Sequence, residues 1–95
     1  MTITAQSIKL EISRHIDLKA RLEEKKTLAI QLGEGEVFEE ILKECDFLIA
    51  GLYTLINPKK NFGDFNLQIK DKEFVLYACE FASNLEKDLK GDNYV

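Results

Sequence analysis

The sequence predicts a mainly α fold, an antiparallel helical hairpin carrying a third helix in a three-helix, bundle-like arrangement. Three observations predict it. Apolar residues recur at three- and four-residue steps in three separate stretches. Gly33-Glu34-Gly35 and the run from Asn57 to Asp64 break the chain between those stretches. The formal charge changes sign where the chain would fold back: residues 1–33 carry +2, residues 34–57 carry −5 and residues 58–95 carry −1.

The first stretch, up to Leu32, reads as helix. Ile8, Ile12, His15, Leu18, Leu22 and Ala29 fall on one face. Leu10, Leu28 and Leu32 widen that face or form a second one. Gly33 is placed to close the helix, because glycine enters the left-handed region without steric cost. Ser7-Ile8-Lys9-Leu10-Glu11-Ile12 alternates as a strand would. The apolar steps continue far beyond this hexapeptide, which favours helix. The alternative is an α+β fold pairing residues 8–12 with 65–69 as two short strands.

The second stretch runs from about Glu36 to Ile56. Phe38, Ile41, Cys45, Leu48, Leu52 and Leu55 form a narrow seam of coiled-coil type. Ile49, Tyr53 and Ile56 add another apolar face in its second half. Gly51, mid-helix, costs about 1 kcal/mol relative to Ala and permits close approach of a neighbour. Pro58 stops the helix by pushing Asn57 out of helical geometry. In the third stretch Phe65-Asn66-Leu67-Gln68-Ile69 alternates, and Asp71 is a good N-cap for a helix from Lys72 to about Lys90. Phe74, Ala78, Phe81, Ala82, Leu85 and Leu89 give its inner face, with Val75 and Cys79 beside them and Gly91 closing it. Folding back at Gly33–Gly35 brings Lys19, Arg21, Lys25 and Lys26 toward Glu36, Glu39, Glu40 and Glu44. Exposed pairs contribute only a few tenths of a kcal/mol each, so they set orientation more than stability.

Composition narrows function more than it assigns it. The 95 residues are 45% hydrophobic and 32% charged, so residues 1–95 are expected to form one helical domain. A chain of this size buries roughly 60–65% of its unfolded surface, enough for a thin core. The net charge of −4 repels phosphate over long range, so nucleic acid is not favoured as a partner. The most apolar run, Phe47 to Ile56, is far below the roughly 20 residues that cross a bilayer. No basic-then-apolar leader opens the sequence, and the expectation is a cytoplasmic protein with free thiols at Cys45 and Cys79. A single bridge between them stays open on counting alone.

The candidate residues each carry a plain structural reading. His15 is a general base or pH switch on one reading, and a hydrogen-bonded core-edge histidine on the favoured one. Cys45 beside His15 is the one enzyme constellation that can be assembled. Its neighbours Glu44 and Asp46 oppose a thiolate, which favours both cysteines as small hydrophobes. Glu34, Glu36, Glu39 and Glu40 lack the spacing of a calcium loop and suit the start of a helix. No metal or cofactor is expected. Arg14, Arg21 and Lys25 lie on one side of the first helix, bordering Leu28 and Leu32. They offer an anion contact or, as favoured, a solvated ion-pair face in which Asp17 serves Arg21. The loop carries Lys59, Lys60, Phe62 and Phe65: on the favoured reading Phe62 folds back over the core and the lysines suit a helix C-terminus, and on the other these aromatics beside polar groups form an interface anchor.

The leading functional expectation is a small non-enzymatic protein–protein interaction module of adaptor, inhibitor or immunity type. It would self-associate, as a homodimer or higher oligomer, through the helix around residues 38–56. Phe62, Phe65, Lys59, Lys60, Tyr53, Ile49 and Ile56 are the expected contacts, with a foreign protein as the other partner. The alternative is a small regulator binding a nucleotide or nucleic acid through Arg14, Arg21, Lys25, Lys59 and Lys60 converging in an oligomer.

Overall fold

The computed structural model describes residues 3–56 and 69–91. Three helices make it up: α1 (Ala5–Gln31), α2 (Gly35–Leu55) and α3 (Ile69–Gly91). Helix α1 starts at a reciprocal cap. The Ser7 backbone N–H donates to Thr4 Oγ1 at 3.1 Å, and the Thr4 backbone N–H donates to Ser7 Oγ at 2.8 Å. Two orphan donors, one of them on the first residue of the alternating hexapeptide, are thereby satisfied. Residues 8–12 are helical, which overturns the two-strand alternative; residues 65–68 lie outside the described residues. The other end of α1 closes as foreseen. Gly33 has φ +80°, its N–H donates to Ile30 O at 3.1 Å, and the Glu34 N–H reaches Ala29 O at 2.8 Å. This is the paired closure that a left-handed residue allows.

Helix α2 returns antiparallel to α1, in a register fixed by Lys19–Asp46 and by Lys26–Glu39 at 3.4 Å. Only the second pair joins residues from the two expected charge sets. Arg21 instead holds Asp17 on its own helix at 3.2 Å, and Glu44 accepts from Tyr77 Oη of α3 at 2.8 Å. Helix α3 lies antiparallel to α2, with Phe74 edge-on to Phe47 and Tyr77 beside Glu44. It therefore runs parallel to α1, completing an up-down-up bundle. Because α3 already includes Ile69, Asp71 is not its N-cap. It sits in the first turn, where the helix dipole still favours a carboxylate.

The core divides into two apolar clusters. Ile8, Ile12, Leu48, Leu52, Leu55, Val75 and Ala78 form one, and Leu18, Leu22, Leu42, Cys45, Ala82, Leu85 and Leu89 the other. Each fully buried Leu or Ile contributes about 1.5–3 kcal/mol by leaving water. All six residues placed on the inner face of α1 are buried. On α2, Leu42 is buried while Phe38 and Ile41 are only half-buried, so the seam is rotated slightly toward Leu42. Leu10, Leu28 and Leu32 do not widen the core face and stay 59–67% exposed.

Candidate functional site

Between the two clusters lies a polar layer built by α1 and α3. His15 is fully buried, and its ring stacks on Phe81 at 6.4 Å with planes 13° apart. Phe81 packs against both clusters, so the pair divides them. His15 Nδ1 lies 2.8 Å from Glu11 O and Nε2 lies 3.1 Å from Ala78 O. Both partners are carbonyl oxygens and can only accept. A neutral ring donates to one of them, and a doubly protonated ring donates to both. Glu11 Oε1 stands 3.4 Å from Nδ1, its carboxylate largely buried. Arg14 Nη1 donates to the same oxygen at 3.1 Å.

Arg14 extends this layer to α3. It is held by Glu86 and donates from Nη2 to Ser83 Oγ at 3.0 Å. The expectation of a solvated ion-pair face is corrected for this residue: Arg14 is half-buried and its cross-helix partners are on α3. Its guanidinium holds the Glu86 carboxyl below the usual carboxylate range. Nearby, the Cys79 thiol is pushed up, first by burial and then by the Glu11 carboxylate.

Cys45 lies in the second cluster, where burial, then Asp46, pushes its thiol up to about 11. That is the opposite of nucleophile activation. His15 Nδ1 and Nε2 face the carbonyl oxygens of Glu11 and Ala78, so the Cys45–His15 constellation has no base aimed at a thiol. Both cysteines are free. Among the described residues no group of His, Cys, Asp and Glu is arranged to hold a metal ion. No helix among them is long and apolar enough to cross a membrane.

The basic candidates separate. Arg14 is taken into the polar layer, whereas Arg21 and Lys25 line an open cleft of about 340 Å³ with Glu24, Leu89 and Lys90. Arg21 keeps Asp17 as its partner there. Of the residues assigned to partner contact, Ile49 and Ile56 pack half-buried on the first cluster together with Ile3. Tyr53 stands 52% exposed. Lys59, Lys60, Phe62 and Phe65 lie outside the described residues.

One close contact answers the expectation at Gly51, and one surface feature escaped the residue pattern. The first is the seat of Phe74. A Cβ on Gly51 would stand 2.3 Å from Phe74 Cζ, so the bare glycine is what admits the ring. The second is the hairpin tip, where Leu28, Ile30, Leu32 and Val37 are 57–67% exposed around the Gly33 turn. Leu28 and Leu32 were visible as a border to the basic stripe. Val37 and Ile30 gave no signal, because each fits a helix face that a neighbouring helix could have covered. No protein-family model, curated protein or solved structure matches this chain.

Proposed function

We propose that the chain is a non-enzymatic protein–protein interaction module of adaptor, inhibitor or immunity type. The observation that carries this reading is the hairpin tip. Four large apolar side chains, Leu28, Ile30, Leu32 and Val37, are more than half exposed within about two turns of helix on either side of Gly33. Apolar side chains scattered singly need no explanation, whereas a cluster rimmed by polar groups marks a contact surface. Exposed Tyr53 on α2 supports self-association as one form of the contact. The half-burial of Ile49 and Ile56 moves weight from the middle of α2 to the tip. The reading also fits a chain whose buried histidine and cysteine are occupied in packing.

The test is native mass by light scattering across the micromolar range, with partner capture by wild type and by a Leu28→Ser/Leu32→Ser variant run in parallel. A concentration-dependent rise in mass, or a specific partner bound by wild type and released by the variant, supports the module. A monomer at every concentration whose captured proteins are the same for both forms overturns it.

A further inference from the structure

His15 is the chain's single histidine, and it is fully buried where α1 meets α3. Its two nitrogens are served differently. Nδ1 has two oxygens of one α1 residue beside it, Glu11 O at 2.8 Å and Glu11 Oε1 at 3.4 Å. Nε2 meets Ala78 O of α3 at 3.1 Å. All three oxygens accept, so the ring matches its surroundings when both nitrogens carry hydrogen. A neutral ring keeps one hydrogen, and the two Glu11 oxygens favour holding it at Nδ1. The Nε2 lone pair then faces the Ala78 carbonyl, with the ring closed off from solvent. The proton that can be lost is therefore the one that ties α3 to α1.

The charges around the ring suit a second proton there. On α1, the Glu11 carboxylate is 12% exposed and shares Oε1 with Arg14 Nη1 at 3.1 Å. Arg14 alone would oppose another cation, but it is met by Glu86 of α3. Glu86 in turn feels the exposed cations Arg21 and Lys90. With Arg14 and Glu86 paired, the imidazole is left to balance Glu11. On α3, Cys79 lies beside Glu11, and burial first and the carboxylate second keep its thiol protonated. From α2 the buried residues are four leucines and Cys45, whose thiol is pushed up to about 11 and stays neutral. When one member of a buried ion pair loses its charge, the other is left uncompensated.

We propose that His15 is a proton-operated latch that holds α3 on the helical hairpin. With both nitrogens protonated it donates to Glu11 O and Ala78 O, and α3 is tied down. As pH rises the Nε2 proton passes to solvent, the tie to Ala78 is lost and Glu11 keeps an unbalanced buried charge. Helix α3 then lifts, withdrawing Ala78 from one core cluster and Ala82, Leu85 and Leu89 from the other. The stabilisation is present on the acid side and is lost with rising pH, because the folded state binds the extra proton. The latch is independent of the interaction-module reading above.

A single imidazole makes the test direct. The isotope-labelled full chain is titrated between about pH 5 and 8, where histidine changes charge. Imidazole nitrogen shifts report the ring's protonation, and amide hydrogen exchange reports the protection of α3. A doubly protonated ring at the acid end, a ring protonated at Nδ1 alone at the other, and a loss of α3 protection of about tenfold or more are expected. His15→Gln should remove that loss, leaving only the slope of the remaining groups. Glu11→Gln should move the imidazole transition to lower pH, since the carboxylate no longer balances the charge. A ring already neutral at the acid end, a ring still doubly protonated at the alkaline end, or α3 protection that falls equally in His15→Gln would overturn the proposal. Should His15→Gln fail to fold, the imidazole signals of wild type and Glu11→Gln decide, and a transition that Glu11→Gln leaves in place counts against the latch.

Discussion

Replacing Gly51 by alanine separates helix propensity from packing in this bundle. In an exposed helix interior the change gains about 1 kcal/mol, because alanine has fewer unfolded conformations to lose. Here the new methyl would stand 2.3 Å from Phe74 Cζ, 2.8 Å from Cε1 and 3.2 Å from Cε2. Ordinary carbon contacts begin near 3.4 Å, so the ring must retreat by about 1 Å. It cannot do so without disturbing its edge-on contact with Phe47, whose centroid is 6.0 Å away, or its packing on the first cluster. Overpacking of this kind costs about 1–3 kcal/mol, and an aromatic pair about 0.5–1.5 kcal/mol. Packing therefore wins, and Gly51→Ala should destabilise by about 1 kcal/mol net. For a chain of this length that lowers Tm by roughly 4–8 °C. In a Phe74→Ala background the obstacle is gone, and Gly51→Ala should stabilise by about 1 kcal/mol. Urea denaturation of the four proteins closes a double-mutant cycle with an expected coupling of about 2 kcal/mol. A coupling near zero, or stabilisation by Gly51→Ala in the wild-type background, would refute the reasoning.

Three further outcomes follow from the same geometry. His15→Ala should cost about 2–4 kcal/mol in thermal unfolding, from a cavity beside Phe81 and a lost contact to Ala78 O; a loss under 1 kcal/mol would mean that the polar layer does not hold α3. Gly33→Ala should destabilise by about 1–2 kcal/mol, while Gly33→Asn costs less, since no atom lies within 4 Å and only the φ of +80° resists a side chain; equal effects of the two would point to a steric cause. Cys45 is held neutral in the fold with its thiol at about 11, above the roughly 8.5 of an unfolded cysteine. Its contribution to stability is therefore complete below about 8.5 and is lost as pH rises toward 11. Cys45→Ala should flatten the alkaline limb of denaturant midpoint against pH, and an unchanged limb would contradict the assignment.

The extent to which sequence reveals this molecule depends on the reach of each signal. The inner faces of all three helices and the hairpin turn at Gly33 were legible, because helical period and the φ requirement of a turn are local properties. The same locality explains why residues 8–12 could look like a strand: six alternating residues do not contain the Thr4–Ser7 cap that settles them. Cross-helix partners were less legible. Nothing in a one-dimensional charge tally distinguishes Lys19 meeting Asp46 from Lys19 meeting Glu44, since the two carboxylates lie about 200° apart around α2 and only the helix's rotation in the bundle decides which faces α1. Arg14 turned toward Glu86 because α3 packs along that flank of α1, and a sequence separation of 72 residues carries no local trace.

The sequence by itself determined the mainly α class, the hairpin turn and the apolar faces, each through the chemistry of a few consecutive residues. Tertiary structure decided which exposed apolar residues remained uncovered. Leu28, Leu32 and Val37 share the helical period of the buried leucines yet stand exposed at the hairpin tip, because only the packing of three helices settles which flank of each is covered.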